Sequence, residues 1–166
     1  MEESDVEQLF QAFASQGWGA FKPQSLFARY YSEQNNKKHI VVIAGKDDKL
    51  AGYVILAPAA EAGPFFAKGI PEIRDFSVLK IYQRQGIGSE MMCAVETLAK
   101  ESCNYVSLAV GLYADYGTAQ RMYVKRGYVP DGSGIWHFGK QVPPGQTVVN
   151  DDDLLLYFSK DLSQKS

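Results

Sequence analysis

The sequence predicts an α/β fold with a mixed, mostly antiparallel central sheet, a parallel strand–helix–strand core and helices on both faces. Two observations predict this class. Segments with helical spacing of apolar residues alternate with β-rich runs, in the order two helices, three strands, helix, strand, helix, strand, long loop, strand. The polar link KDDK between the first two strands predicts an antiparallel hairpin, whereas the helix between the third and fourth strands predicts a right-handed parallel crossover.

Two amphipathic helices are predicted at the start of the chain. In DVEQLFQAFASQ, the apolar residues at helical spacing are Val6, Leu9, Phe10 and Phe13. In KPQSLFARYYSEQ, Pro23 stands near the start, where its restricted φ suits the first turn of a helix. The apolar residues of this second segment again share one helical face.

The rest of the chain alternates between strands and helices. The predicted strands are HIVVIAG, LAGYVILAP, EIRDFSVLKI, NYVSLAV, GYVP and LLLYFSKDL. The predicted helices are GSEMMCAVETLAKES and YGTAQRMYVKRG, the second ended by Gly127. DGSGIWHFGKQVPPGQTVVNDDD is rich in glycine and proline and is predicted to be a long loop before the last strand.

Composition limits the class of protein. The 166 residues suit one domain, 1–166, and 46% hydrophobic with 22% charged residues is typical of a globular chain. A formal net charge of −2 disfavours a general nucleic-acid binder. The sequence shows no signal region at its start, and no apolar run reaches the roughly 20 residues of a membrane span. Cys93 and Cys103 are expected to be reduced thiols. We therefore expect a cytoplasmic protein.

The stretch DFSVLKIYQRQGIGSEMM places Gly86 and Gly88 between a strand and a helix. Glycine costs a helix about 1 kcal/mol relative to alanine, so the pair needs a reason. Ligands bind at the carboxyl ends of strands in open α/β sheets, and a helix start offers unpaired N–H groups to a phosphate. Glycine lets that phosphate reach the backbone. The stretch predicts a phosphorylated cofactor, with a tight turn that binds nothing as the alternative.

Two common phosphate-binding patterns do not match this stretch. A P-loop has lysine and then serine or threonine after its second glycine, but Ser89 and Glu90 follow Gly88. A dinucleotide-binding loop has a third glycine three residues after the second, and that position is Met91.

The remaining pattern, Gln83-Arg84-Gln85-Gly86-Ile87-Gly88, resembles the pyrophosphate-binding loop of the GNAT superfamily of acyl-CoA-dependent N-acetyltransferases. EIRDFSV resembles the central strand of that family, and AQRMYVKRGYVP resembles its A-x-x-(Leu/Met)-Tyr-x-Lys-x-Gly-(Phe/Tyr) signature. The matching signature residues are Ala119, Met122, Tyr123, Lys125, Gly127 and Tyr128. The resemblance covers about Glu72 to Pro130, and the flanks agree in layout.

This resemblance implies acetyl-CoA as the co-substrate. The pantetheine arm would bond the main chain of the central strand like an added strand, and the pyrophosphate would lie on amides of the glycine loop. The implied cofactor-binding residues are Phe76, Ser77, Val78, Gln83, Arg84, Gln85, Gly86, Ile87, Gly88, Ser89, Tyr116, Thr118 and Tyr123. Members of the family often have asparagine where this chain has Tyr116, and Asp115 or Thr118 are the candidates to replace it.

The resemblance also implies direct attack of an amine on the thioester. Tyr123 stands at the position of the family's general acid and would protonate the leaving thiolate, unless it is only a core aromatic. Glu72 matches the position of a catalytic glutamate in some histone-modifying members, with Asp75 or a water chain as the alternative base. The amide of Val78 is the expected donor to the oxyanion.

The acceptor side is less defined. Trp136, His137 and Phe138 either line an acceptor pocket or hold the long loop, and His137 is also a candidate base. The run from Asp151 to Asp153 either attracts a cationic amine or forms a solvated turn. No Cys/His cluster has metal-ligand spacing.

The expected function is N-acetyl transfer from acetyl-CoA to a primary amine of a small molecule or protein. An acyl-CoA sensor of the same fold without turnover is the alternative, and a nucleotide enzyme with a degenerate loop is a third. We expect no nucleic-acid or membrane partner, and a homodimer stays open.

Overall fold

The computed structural model describes residues 1–163, so the last three residues of the predicted domain lie outside the described residues. Its four helices are α1 (Glu3–Ala14), α2 (Gln24–Asn35), α3 (Ile87–Lys100) and α4 (Gly117–Lys125). Its seven strands are β1 (Ile40–Lys46), β2 (Lys49–Ala57), β3 (Glu72–Val78), β4 (Tyr105–Gly111), β5 (Val129–His137), β6 (Lys140–Gln141) and β7 (Leu154–Asp161).

The strands form one mixed sheet in the order β1-β2-β3-β4-β7-β5-β6. The β3–β4 ladder is parallel and pairs Glu72 with Ser107 and Ile73 with Leu108. The ladders of β1 with β2, β4 with β7, and β5 with β6 and β7 are antiparallel. The predicted fold class, including the hairpin and the parallel crossover, is confirmed.

The described residues cluster into two compact units. The first comprises Met1–Ala57 and Arg74–Leu98, and the second comprises Pro58–Ile73 and residues 99–163. The assignment of the chain to one domain stays a prediction. None of the helices in residues 1–163 has the length and hydropathy of a membrane span.

The first unit has an aromatic core. The apolar faces predicted for α1 and α2 supply Phe13 and Phe27, which pack on Tyr53 of β2 with nearly perpendicular rings, at centroid distances of 5.5 and 5.4 Å. Leu9, Val41 and Ile55 complete the packing and are almost fully buried. The helical spacing of the sequence therefore identifies the faces that pack against the β1–β2 hairpin.

The second unit is built around β7, which pairs with both β4 and β5. On one side of this sheet, Tyr157 of β7 packs against Phe65 and Trp136 at centroid distances of 6.3 and 5.7 Å. On the carboxyl side of β4, α4 follows a short 3₁₀ turn, Ala114–Tyr116. The fold thus brings α4 and the ends of β4 and β7 into one unit.

The prediction of a long loop from Asp131 to Asp153 is wrong for the first half of that segment. The strand expected to end after Pro130 continues to His137, and a short hairpin with β6 follows. The pairing of β5 with β7 shifts register between Pro130 and Ile135, as in a β-bulge, because DGSG breaks the alternation there. Tertiary pairing with β7 overrides a local sequence that favours a turn.

Candidate active site

The glycine-rich segment lies between β3 and α3. Arg84 and Gly86 both have left-handed backbones, with φ of 60° and 90°. The amides of Ser89 and Glu90 donate to the carbonyl of Gly86 at 2.8 and 3.1 Å. The amides before them belong to the first turn, which has no intrahelical acceptor. This end of α3 therefore has the backbone geometry of an anion site.

Two glutamines brace this loop from within. The side chain of Gln83 donates from Nε2 to the carbonyl of Val78 at 3.0 Å, and that of Gln85 donates to the carbonyl of Ile81 at 2.8 Å. The Nζ of Lys46 donates to Oε1 of Gln85. These predicted cofactor-binding residues therefore use their side chains to shape the turn, and the amide of Gln83 also donates within it, to the carbonyl of Lys80 at 3.3 Å. Arg84 is exposed.

The start of α3 packs closely against the last residues of β3. A Cβ at Gly88 would lie 3.2 Å from Cζ of Phe76 and 3.8 Å from Cγ2 of Val78. Such a contact is tighter than most, so a residue with a side chain at this position would require the Phe76 ring to shift. The first unit thus brings together two predicted cofactor segments, the residues Phe76 to Val78 and the glycine loop.

Asp75 lies within β3, immediately before this segment. Its φ of 44° is left-handed, which is rare in a strand. Its carboxylate accepts hydrogen bonds from Lys22 at 2.7 Å and from Tyr30 and Tyr53 at 2.6 Å each. Burial opposes its ionisation, but the charge of Lys22 and these hydrogen bonds outweigh burial and lower the pKa of Asp75. A carboxylate held this way is a weak base, which argues against Asp75 as the base.

Lys22, Tyr30 and Tyr53 are site-adjacent residues that the sequence did not indicate. Tyr30 and Tyr53 belong to apolar faces and therefore predict only core packing. A lone lysine in the loop between α1 and α2 has no pattern that links it to Asp75, which lies 53 residues further along the chain.

Tyr123 is the predicted acid and lies on α4 in the second unit. It is 5% exposed, and its ring meets that of Tyr128 at a centroid distance of 5.8 Å. Burial raises the pKa of Tyr123 to about 12, and among the described residues burial is the only cause of this shift. The phenol is therefore protonated at neutral pH, as a general acid must be, although part of its role is to pack the core.

Tyr116 and Thr118 have protein partners in the second unit. The hydroxyl of Tyr116 donates to Oδ1 of Asp152 at 2.7 Å, and Tyr113 donates to the same oxygen. A Cβ at Gly111 would overlap the ring of Tyr116, so this ring lies directly on the end of β4. Oγ1 of Thr118 accepts from Arg121 at 3.5 Å. The structure thus gives Tyr116 a role in holding the loop before β7.

Glu72 begins β3 and is half-buried. Burial and then the charges of Glu72 and Asp131 raise the pKa of Tyr157, so the Glu72 carboxylate acts electrostatically on the Tyr157 phenol. Glu72 remains a candidate base in the second unit.

The predicted acceptor residues separate into different roles. Trp136 packs on Tyr157 and donates to Oγ of Ser133 at 2.7 Å, so it stabilises the hairpin. Nε2 of His137 lies 3.1 Å from Oδ1 of Asp151, which joins β5 to the loop before β7. Phe138 is 67% exposed in the hairpin turn. Residues 1–163 contain no His, Cys, Asp or Glu cluster able to hold a metal ion.

The sequence matches the model of the acetyltransferase (GNAT) family over residues 4–128. The chain belongs to the GNAT acetyltransferase family. The resemblance carried by the glycine loop and the Tyr123 signature is therefore confirmed, and this GNAT acetyltransferase is an acyltransferase enzyme. A comparison with curated proteins gives no match.

Solved structures of other acetyltransferases share the fold of this one. A protein described as a GNAT-family acetyltransferase from Desulfovibrio desulfuricans has a TM-score of 0.70 at 16% identity, covering 97% of this chain and 94% of its own. A ribosomal-protein-alanine N-acetyltransferase from Brucella melitensis has a TM-score of 0.69 at 15% identity, covering 98% and 97%. An aminoglycoside 6′-N-acetyltransferase complexed with coenzyme A has a TM-score of 0.66 at 16% identity, covering 99% and 94%.

GNAT acetyltransferases use acetyl-CoA, and the first unit of this acetyltransferase fits its pyrophosphate. The left-handed backbone at Gly86 turns the chain into the helix start, and the nearest atom to a Cβ built there is Oε1 of Glu90, at 4.0 Å. The space above the loop is therefore open for a phosphate, and the first-turn amides have no intrahelical acceptor.

Proposed function

We propose that this acetyltransferase transfers the acetyl group of acetyl-CoA to a primary amine by direct attack. The observation that carries the proposal is the helix start at Gly86, where open space adjoins first-turn amides on a turn braced by Gln83 and Gln85. Acetyl-CoA supplies the activated thioester, and the protein's residues bind it, orient it and move protons.

Two segments of the first unit bind the co-substrate. The amides from Arg84 to Gly88 hold the pyrophosphate, since that of Ser89 already donates to the carbonyl of Gly86, and Arg84 adds a charge-assisted contact. The main chain of Phe76, Ser77 and Val78 bonds the pantetheine arm like an added strand. Gln83 and Gln85 contribute by fixing the turn.

Tyr123 serves as the general acid. When the new C–N bond forms and the C–S bond breaks, the leaving sulfur needs a proton, and the phenol of Tyr123 is protonated at neutral pH. Tyr116 and Thr118 would assist at the cofactor only after leaving their present partners, Asp152 and Arg121.

Glu72 serves as the base through water. The attacking amine must lose a proton, and an amide of the segment Phe76 to Val78 donates to the oxyanion. Glu72 precedes Phe76 by four residues and Val78 by six along β3. Because Glu72 adjoins neither residue, we propose that a water relay carries the proton from the amine to Glu72.

The acceptor is either a protein amine or a small-molecule amine. The names of two structural neighbours correspond to these two classes: one is a ribosomal-protein-alanine N-acetyltransferase and the other is an aminoglycoside 6′-N-acetyltransferase. A panel should therefore contain peptides with a free N-terminus, lysine peptides, polyamines, aminoglycosides and amino acids.

The test is release of free CoA thiol from acetyl-CoA with each amine, with mass spectrometry of the acetylated product. We expect one acceptor class to give turnover well above hydrolysis. Binding of acetyl-CoA without turnover for any amine would contradict the proposal and favour the sensor function. Absence of binding would contradict the cofactor site itself.

A further inference from the structure

Lys22 is a buried cation in the first unit. It lies in the loop between α1 and α2 and is 8% exposed. Its Nζ lies 4.9 Å from the ring centroid of Tyr53 and 5.7 Å from that of Phe13, so two aromatic rings border the ammonium. It donates to Oδ1 of Asp75 at 2.7 Å and also to the hydroxyl of Tyr53.

The other carboxylate oxygen of Asp75 is also engaged. Tyr30 from α2 and Tyr53 from β2 both donate to Oδ2 at 2.6 Å. Three different parts of the unit therefore hold one side chain of β3. A buried ion pair is weak evidence for stability, because desolvation offsets the attraction and an apolar replacement is often as stable. The cluster needs another explanation.

The backbone of Asp75 supplies that explanation. Its φ of 44° is unfavourable for a residue with a side chain, and such strain persists only where the surroundings over-determine the conformation. Aspartate tolerates the left-handed region better than most residues. A left-handed residue within a strand bends the chain and redirects the residues that follow it, which here are Phe76, Ser77 and Val78.

We propose that Lys22 is a positioning residue which, through Asp75, fixes the course of β3 so that the main chain of Phe76 to Val78 presents its groups to acetyl-CoA. The inference rests on the proposed function of that segment. Lys22 has no contact with the reacting atoms in this role. It acts only by holding the Asp75 side chain.

Lys22→Met tests the proposal, since methionine keeps much of the volume and removes the charge. We expect the Kd of acetyl-CoA to rise and kcat/KM to fall by about 10²-fold, the order of loss that a 1 Å misplacement causes. In the unliganded protein, hydrogen exchange at the amides of Phe76 to Val78 should accelerate. Leu9→Ala is the matched control, because it weakens the same core without touching Asp75. It should lower the melting temperature and leave the Kd and the exchange at these amides near wild type.

The double variant Lys22→Met with Asp75→Asn tests the route through Asp75. Asparagine tolerates the left-handed backbone and still accepts from Tyr30 and Tyr53, so we expect it to recover part of the lost affinity. If Lys22→Met does not fold, Tyr30→Phe removes one hydrogen bond to Asp75 and should shift the Kd and the exchange in the same direction by less.

The outcomes separate this inference from the proposed function. If the wild-type protein does not bind acetyl-CoA, the proposed function is contradicted. Hydrogen exchange at the amides of Phe76 to Val78, compared between wild type and Lys22→Met, then still tests the role of Lys22. The inference is overturned if Lys22→Met shows wild-type exchange at these amides. It is also overturned if the wild type binds acetyl-CoA and Lys22→Met binds it with the same Kd. A double variant no better than Lys22→Met overturns the route through Asp75.

Discussion

At the scale of single residues, the phenol of Tyr123 and the carboxylate of Asp75 have pKa values displaced in opposite directions. Burial raises the pKa of Tyr123 to about 12, so the group stays protonated through the neutral range. The surrounding donors lower the pKa of Asp75, so this group stays ionised. The first state suits proton donation, and the second suits a fixed hydrogen-bond acceptor.

Tyr123→Phe should lower kcat by about 10²-fold and leave the Kd of acetyl-CoA within a few fold. General acids contribute about 10² to 10⁴-fold, and a CoA thiol is a fairly good leaving group, so the low end applies. The ring remains, so packing against Tyr128 is kept. Steady-state kinetics and calorimetry measure the two effects. Tyr105→Phe, at an exposed site on β4, is the control. An unchanged kcat would remove Tyr123 from the mechanism.

The ionised Asp75 should make the protein sensitive to acid. Because its folded pKa is lowered, its contribution to stability is present above its unfolded pKa, near 4, and is lost as pH falls through the folded pKa. Urea unfolding from pH 7 down to pH 3 should show a steeper loss of stability in wild type than in Asp75→Asn. Asp48→Asn, at an exposed turn position, is the matched control. Equal slopes for wild type and Asp75→Asn would contradict the assignment.

At the scale of elements, two turns contain residues with a left-handed backbone: the turn of the β1–β2 hairpin and the turn before α3. In the β1–β2 hairpin, Lys46 pairs with Lys49, and both turn residues, Asp47 and Asp48, have positive φ, as a type I′ turn requires. Before α3, Arg84 and Gly86 play the corresponding part. The turn before α3 has a glycine, Gly86, at its second left-handed position, whereas the hairpin turn has Asp48 there.

Asp48→Gly should therefore stabilise the protein by about 1 kcal/mol, because glycine adopts the left-handed region without the cost of a Cβ. Asp48→Ala removes the same charge but keeps the Cβ, so it should be neutral or destabilising. Denaturant unfolding measures both free energies. If the two variants behave alike, charge rather than backbone strain determines the effect.

Gly86→Val and Gly88→Val should abolish acetyl-CoA binding and leave a folded protein. Valine is disfavoured at the φ of 90° of Gly86, and at Gly88 it would press on the ring of Phe76, whose Cζ would lie 3.2 Å from the new Cβ. Calorimetry measures binding and circular dichroism checks the fold. Gly17→Val is the control, because Gly17 has a similar φ of 83° but lies outside the loop. This variant should still bind acetyl-CoA. Wild-type affinity in either loop variant would exclude this loop as the phosphate site.

At the scale of the whole molecule, ligand binding and folding are linked. A ligand that binds only the folded state adds about 2.7 kcal/mol at a concentration of one hundred times its Kd. Acetyl-CoA should therefore raise the melting temperature, whereas NAD and ATP should do so far less, since the loop lacks the dinucleotide and P-loop patterns. Thermal denaturation with each ligand measures the difference. A shift with NAD as large as that with acetyl-CoA would contradict the cofactor assignment.

The sequence by itself determined the features that depend on neighbours along the chain. The helices, the β1–β2 hairpin and the crossover follow from apolar spacing and loop length, and they agree with the structure. The glycine loop was recognisable because a helix start suited to a phosphate needs glycines at fixed short spacings, and the Tyr123 signature because its residues lie within one short segment of the chain.

Only the tertiary structure decided the features that join distant parts of the chain. β5 continues past Pro130 because β7 pairs with it, against the local preference of DGSG. Lys22 meets Asp75 across 53 residues, and Tyr116 meets Asp152 across 36. Such pairs leave no periodicity in the sequence, because their proximity results from burial and hydrogen bonding after the chain has folded.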